Sequence, residues 1–388
     1  MKTFAQMTAG FSLSALALAS CAQAESVESA ASAGADGMSI TEMADIEQPW
    51  AIEFAPGTSV LFITEKEGTM RFIDTAANDG AGRMGTVTGV PEVAFGGQGG
   101  FGDVAFLESE ASATLDTRTI YLSWAEFGDD EDTRGAVVGR GQLVCGEADS
   151  CNIEGLEVIW RQTPKVTGRG HYSHRISFSP DGRYMYVASG DRQKLTPAQD
   201  LTNTLGTIVR LNLDGTPAQG NPFADQGGVT AEIWSYGHRN ILGMDWDAQG
   251  RLWDVEHGPA GGDEFNLVAE GANYGWPTRS YGNHYNGDPI TDHSPDDGFT
   301  KPAVHWTPVI APGDMIFYTG DMFADWKNDA LIAGLSSNAI VRVELTSDGG
   351  AVEAERIDID GRVRSLDQAP DGSIWLATDQ GKVMKVSM

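Results

Sequence analysis

Apolar and polar positions alternate in short runs along most of this chain, and each run closes on a polar or glycine-rich turn. The alternation is plain in Ile208-Val209-Arg210-Leu211-Asn212-Leu213 and again from Ile340 to Leu345. A period of two sends successive side chains to opposite faces, so these runs predict strands. Pro-Asp-Gly at Pro180 and at Pro370 marks tight turns between runs. No segment after the N-terminal region carries a sustained helical stripe.

The runs come in groups of similar layout. Groups begin near Ala51, Asp103, Arg175, Gly243, Asp314 and Val363. Six units over about 340 residues give ~57 residues each, close to the spacing of four-stranded propeller blades. The predicted fold is all-β: a six-bladed β-propeller around a central channel, occupying residues 46–388. A two-layer sandwich fits six similar units less well.

The two ends of the pattern differ from its middle. Residues 1–24 have the layout of an export signal, with Lys2 the sole charge, an apolar stretch from Ala9 to Ser20, and small residues after it. Two processing readings stay open. Ala22-Gln23-Ala24 fits a peptidase site, whereas Leu18-Ala19-Ser20-Cys21 fits a lipobox that would leave Cys21 lipidated. The apolar run falls short of the ~18–20 residues a spanning helix needs. The protein is therefore expected to be periplasmic or otherwise exported, with lipid anchoring to the outer membrane as the second reading, and not transmembrane. Residues 25–45, rich in Ala, Ser, Gly and acids, read as a flexible tether.

Export changes the reading of the cysteines. Cys145 and Cys151 flank a short acidic stretch, which suits a small loop-closing disulfide. Two thiols without a nearby histidine do not make a zinc site, and without C-x-x-C-H no covalent haem is indicated. The formal net charge of −29 argues against nucleic acid or an anionic membrane as partner.

Candidate chemistry gathers in four places. His171, in Gly-Arg-Gly-His just before a run, is a candidate general base, and Asp191 ends the hairpin that follows, where it could orient the imidazole. His174 is a second histidine at nearly the same place. Gly96-Gly97-Gln98-Gly99-Gly100 would let the backbone approach a ligand with Gln98 as the one side chain presented. The stretch from Glu232 to Pro277 collects Arg239, Asn240, Glu256, His257, Gly258, Pro259, Asp263, Glu264 and Tyr274. A Gly-Pro turn frees carbonyl oxygens, and with carboxylates nearby this suits calcium better than zinc. Arg362 and Arg364, two residues apart, put two guanidinium groups on one face, suited to a carboxylate-bearing planar ligand.

Together GGQGG, the His171-x-x-x-Arg175 segment, AQDLTNTLGTIVRLNLDG, WSYGHRN, EHGPxGGDExN and NYGWP resemble the soluble quinoprotein glucose/aldose dehydrogenase family. Its members are six-bladed propellers that bind pyrroloquinoline quinone (PQQ) and calcium and oxidise sugars at C1. The likeness runs from about Pro49 to the C-terminus. It implies His171 as base, Asp191 as its orienting acid, and Gln98 as a substrate- or quinone-side amide. Arg239 falls near the reactive quinone carbonyl, with Asn240 beside it. Gly258 and Pro259 would give carbonyls to the cofactor's calcium, and Glu264 and Tyr274 would be backbone ligands of a second, structural calcium. Tyr285, Gly313-Asp314-Met315, Arg362 and Arg364 fall on further cofactor-contacting positions.

Two departures stand out. Ser336 occupies a position where the family commonly has lysine, and Gly313-Asp314 replaces the usual Ser-Gly, adding a negative charge where an anionic cofactor is expected. The resemblance implies an aldose substrate and an external electron acceptor, a quinone or a soluble cytochrome. Two rival readings use the same residues: a calcium-dependent propeller lactonase or related hydrolase, and a non-catalytic propeller that binds a sugar or a protein.

Overall fold

A computed structural model describes residues 37–130, 132–347 and 349–388. The export signal with Cys21, and the tether up to residue 36, lie outside the described residues. The rest is a ring of six four-stranded antiparallel blades. From the axis outward, blade 1 is Pro49–Phe54, Val60–Glu65, Thr69–Asp74 and Arg83–Thr88, and blade 2 is Phe101–Phe106, Arg118–Phe127, Thr133–Glu147 and Ser150–Arg161. Blade 3 is Ser173–Phe178, Tyr184–Ser189, Thr207–Asn212 and Ile233–Tyr236. Blade 4 is Ile241–Trp246, Leu252–Glu256, Asp263–Leu267 and Val304–Trp306, and blade 5 is Pro312–Phe317, Ala330–Gly334, Ala339–Leu345 and Ala351–Asp358. Blade 6 takes Val363–Gln368, Ile374–Thr378 and Lys382–Ser387 from the C-terminus.

Its fourth strand is Ser39–Asp45, which runs antiparallel to Lys382–Ser387 with Ser39 opposite Ser387 and Asp45 opposite Lys382. This corrects the tether boundary. The last stretch of the expected tether is an outer strand that ties the chain's start to its end, with Ile40 buried against the final blade. Such pairing covers the outer edge of Lys382–Ser387 and closes the ring. The Cys145–Cys151 disulfide is formed, near the hairpin turn between the two outer strands of blade 2. No helix among the described residues is long and apolar enough to cross a membrane.

Each blade packs its faces on two neighbours, so middle strands are buried on both sides. Ala330–Gly334 and Ile374–Thr378 are buried at every position. That is why these runs read as continuous apolar stretches rather than strict alternation. Between blades 4 and 5, Trp253 stacks on Phe265 at 4.6 Å and packs with Met315, Phe317 and Ile332. Truncating a core tryptophan of this kind to alanine costs about 3–5 kcal/mol.

The inner strands carry a repeated device. A carboxylate on one blade accepts a backbone N–H from the next: Asp103 from Ile176 (2.8 Å), Asp245 from Phe317 (2.7 Å), Asp314 from Leu366 (3.3 Å) and Asp367 from Phe54 (2.6 Å). These acids, with Glu53 and Arg175, line a lower chamber of about 820 Å³. A stack divides it from the upper end of the channel: His174 lies on Trp50 at 4.9 Å, and the Arg175 guanidinium sits 4.4 Å from the Trp50 ring. Trp50 and His174 face the upper cavity, and Arg175 faces the lower.

Candidate active site

The upper end of blade 3 brings His171 and Asp191 together. Ser173 pairs with Ser189 across the first hairpin, so the residues just outside that pair meet above it. His171 Nδ1 lies 2.7 Å from Asp191 Oδ1. Gly190 makes the approach possible, because a Cβ there would stand 2.1 Å from the His171 carbonyl oxygen. The backbone is left-handed at His171, Ser173 and His174 on one side and at Arg192, Gln193 and Leu195 on the other. Conformations of this kind persist only where surroundings over-determine them. Here Arg192 does so: fully buried, it donates to the carbonyls of Gly168, Gly170 and Arg134 and stacks 3.7 Å from the Tyr172 ring.

Hydrogen bonds fix the roles of the two side chains. Asp191 Oδ1 also accepts from the Gln193 N–H, and Oδ2 accepts from Trp276 Nε1 at 2.8 Å and from the Leu195 N–H. Burial opposes ionisation of Asp191, but His171 and these donors outweigh it and hold the carboxyl below its ordinary range. The ionised acid therefore takes Nδ1–H of His171 and leaves Nε2 as the lone-pair nitrogen. Among the described residues Nε2 has no hydrogen-bond partner. Burial lowers the pKa of His171; Asp191 pulls it up, and the positive charge of Arg239 adds to the lowering. A neutral imidazole with a free Nε2 is a general base at neutral pH.

His174 is placed differently. Its Nδ1 bonds Ser123 Oγ at 2.8 Å, its ring stacks on Trp50, and burial with the charge of Arg175 drives its pKa down to about 3. It is a wall of the cavity, and among the described residues no carboxylate bonds its ring.

Beside the dyad lies a cavity of about 410 Å³, walled by Trp50, Gln98, Asn240, His257 and a group of charges: Lys66, Arg362, Arg364 and Asp379. Asp379 bridges Arg362 (3.0 Å) and Arg364 (2.8 Å). Three cations against one acid make the cavity cationic in a strongly acidic chain. Gln98 Oε1 accepts the His171 N–H at 2.6 Å, which ties the glycine-rich loop to the dyad. Arg239 donates to the His257 carbonyl (2.9 Å) and to the Tyr285 hydroxyl (3.3 Å), and lies over the Trp276 ring at 5.1 Å. Its Nε is buried without a partner. Glu256 anchors the Arg239 N–H at 2.6 Å.

Several sequence-predicted residues lie elsewhere. Asp314 and Met315 face the lower chamber, where Asp314 bonds Ser365 and lies 3.2 Å from Arg175, while the Gly313 carbonyl accepts from Arg175. The expected negative charge of Asp314 beside an anionic cofactor is thus corrected: it sits beyond the Trp50–Arg175 stack. Ser336 donates to the Val309 carbonyl and is exposed, while its neighbour Leu335 is the cavity wall. Tyr285 is 77 % exposed and reaches the site through Arg239. Lys66, Trp50, Asp379 and Arg192 were not singled out from sequence, and His257 and Trp276 were noted only as members of a chemistry-rich stretch, without a role; the Glu-Lys-Glu turn, or a tryptophan in NYGWP, gives no local signal of what it will face.

The residues fit the two groups the resemblance implies. A flat polycarboxylate matches a cavity of this charge with arginines in its wall. For calcium, Gly258 and Pro259 are buried, and neither carbonyl accepts a hydrogen bond among the described residues. Asp263 holds that turn rather than offering itself, accepting from the Gly258 and Ala311 N–H groups. Glu264 and Tyr274 flank a small void of about 10 Å³ together with Glu256 and Ser280. Burial, then the charges of Glu256 and Asp254, raise the pKa of Glu264.

The sequence model of the Glucose / Sorbosone dehydrogenase family matches residues 46–385. The chain belongs to that family. It is 34 % identical to the aldose sugar dehydrogenase YliI of Escherichia coli K12 over 349 residues, 88 % of this chain and 90 % of that protein. The apo-form crystal structure of the soluble aldose sugar dehydrogenase of Escherichia coli superposes with a TM-score of 0.81 at 33 % identity, covering 90 % of this chain and 99 % of the other. The aldose sugar dehydrogenase of Streptomyces coelicolor, solved in a PQQ-bound form, has a TM-score of 0.71 at 24 % identity, covering 92 % and 99 %, and shares the fold. This glucose/sorbosone dehydrogenase family member is a six-bladed propeller enzyme of the dehydrogenase type.

Proposed function

We propose that the protein is an exported aldose dehydrogenase that oxidises the C1 hydroxyl of a sugar to the lactone, with PQQ and calcium as cofactors. The observation that carries this is the His171–Asp191 pair, with its free Nε2, next to a cationic cavity whose wall residue His257 is held by Arg239. PQQ, when bound with calcium, supplies an electrophilic carbonyl carbon able to accept a hydride.

The chain's own residues do the rest. His171 Nε2 takes the hydroxyl proton of the sugar while Nδ1–H stays with Asp191, so the imidazolium that forms is stabilised in place. Arg239, its main chain held by Glu256 and its guanidinium by the His257 carbonyl and the Tyr285 hydroxyl, would bring a positive charge to where negative charge develops. Arg362, Arg364, Asn240 and Gln98 position, and Gly258 and Pro259 offer their carbonyls to calcium. Glu264 and Tyr274 would hold a second, structural calcium. Electrons then leave to an external acceptor, a quinone or a soluble cytochrome.

Reconstitution tests the reading. Protein loaded with PQQ and calcium is expected to reduce an artificial dye when an aldose is added, and protein without either is not. Bound PQQ without dye reduction across a broad panel of aldoses and alcohols would overturn it.

A further inference from the structure

Lys66 sits at the turn between two strands of blade 1, and its main chain is tied to both neighbouring segments. Its N–H donates to the Gln48 carbonyl at 3.0 Å, and its carbonyl accepts from the Phe101 N–H at 2.9 Å. Gly100 permits this contact, because a Cβ there would stand 2.1 Å from the Lys66 carbonyl oxygen. The side chain is therefore delivered from a fixed root into the upper cavity. There Nζ donates to the Gly97 carbonyl at 2.5 Å, one residue from Gln98.

The ammonium lacks an acid. Lys165, Lys301, Lys327, Lys382 and Lys385 each pair with a carboxylate, as the acidic composition makes easy. Lys66 has no carboxylate within ion-pair distance among the described residues. The nearest acid in the cavity wall, Asp379, is already shared by Arg362 and Arg364. Burial lowers the pKa of Lys66 and the charge of Arg364 lowers it further, which the smaller effect of Asp379 opposes without cancelling. A half-buried cation held beside two others, with the one acid among the described wall residues bonded to both arginines, is a site short of negative charge.

We infer that Lys66 is a cofactor-binding residue, the third cation of the cavity, and that it pairs with a carboxylate of the planar polycarboxylate quinone held by Arg362 and Arg364. This rests on the proposed cofactor and adds a contact to it from blade 1, next to the blade that carries Arg362 and Arg364. Ser336 does not compete for the role, since its hydroxyl is turned to the Val309 carbonyl.

The test is calorimetric titration of apo-protein with PQQ, with and without calcium, using wild type, Lys66→Met, Lys66→Arg and Arg364→Met. Lys66→Met is expected to weaken PQQ binding by about tenfold or more, the scale of a lost hydrogen bond to a charged group. Lys66→Arg should restore most of it, and the difference should shrink as salt is raised. Phenanthrenequinone, a planar quinone without carboxylates, should not distinguish the variants. If Lys66→Met binds PQQ as wild type does while Arg364→Met is weakened, the inference fails and the cofactor reading stands. If Arg364→Met is also unchanged, the cofactor reading itself fails. A thermal melt checks that each variant is folded; should Lys66→Met not fold, Lys66→Gln, which keeps a donor for the Gly97 carbonyl, decides by the same criteria.

Discussion

Trp276 donates its indole N–H to Oδ2 of Asp191 at 2.8 Å, while Asp191 Oδ1 holds His171. The acid of blade 3 is thereby braced from the long loop of blade 4. The same indole ring lies against Arg239, so one residue touches both the base's support and the cation of the site. Trp276→Phe keeps a ring for Arg239 and removes only the donor. A carboxylate that loses a donor becomes more basic and stabilises the imidazolium more. The acidic limb of kcat/KM is expected to move to higher pH, with turnover down by about tenfold. An unchanged pH profile in Trp276→Phe would show that the indole serves packing alone.

Asp191→Asn should move that limb the other way. Asp191 is the group that pulls the His171 pKa up against burial and Arg239. With its charge gone the imidazole becomes still harder to protonate, so the limb shifts to lower pH while turnover falls because the tautomer is no longer fixed. Measuring kcat/KM from pH 4 to 8 in both variants gives two shifts of opposite sign. Shifts of the same sign would contradict the assignment of His171 as the titrating base.

The propeller was legible because blade strands repeat a simple pattern, and the dyad because a hairpin returns its end to its start. What escaped had physical reasons. Ser39–Asp45 lies in a compositionally plain stretch, and its partner is at the other end of the chain. Asp314 was expected beside the cofactor, but the register shifts between Pro312 and Asp314, and its side chain enters the lower chamber. Strand alternation would set His171 and His174 on opposite faces, yet both are left-handed, so alternation does not apply. Lys66 and Trp276 act at sites built by other blades, which no local pattern encodes.

His171 and His174 separate in a direct experiment. His171→Gln should leave PQQ and calcium binding close to wild type and cut turnover by ~10²–10⁴, the contribution of a positioned general base. His174→Gln should do the reverse: its ring bonds Ser123 and stacks on Trp50 in the cavity wall, so stability and cofactor affinity suffer before the pH profile does. Turnover lost in His174→Gln and retained in His171→Gln would reassign the base.

The lower chamber predicts how stability depends on pH. Glu53 of blade 1, Asp103 of blade 2, Asp245 of blade 4, Asp314 of blade 5 and Asp367 of blade 6 face it, with Arg175 of blade 3 the one cation among the described residues that line it. Burial, assisted by the other carboxylates, pushes Asp367 up to about 7, and burial pushes Asp245 and Asp314 up to about 6. An unfolded aspartate titrates near ~3.9. Between about pH 4 and pH 7 the folded chain therefore holds protons that the unfolded chain has lost, and folding stability falls as pH rises through that window. Asp367→Asn removes one of these groups while keeping an oxygen for the Phe54 N–H. Wild-type apo-protein is expected to melt at a lower temperature at pH 8 than at pH 5.5, and the drop should be smaller in Asp367→Asn. Equal drops would mean that Asp367 keeps its charge throughout the window, with Arg175 neutralising more of the ring than its contacts to Asp103 and Asp314 indicate.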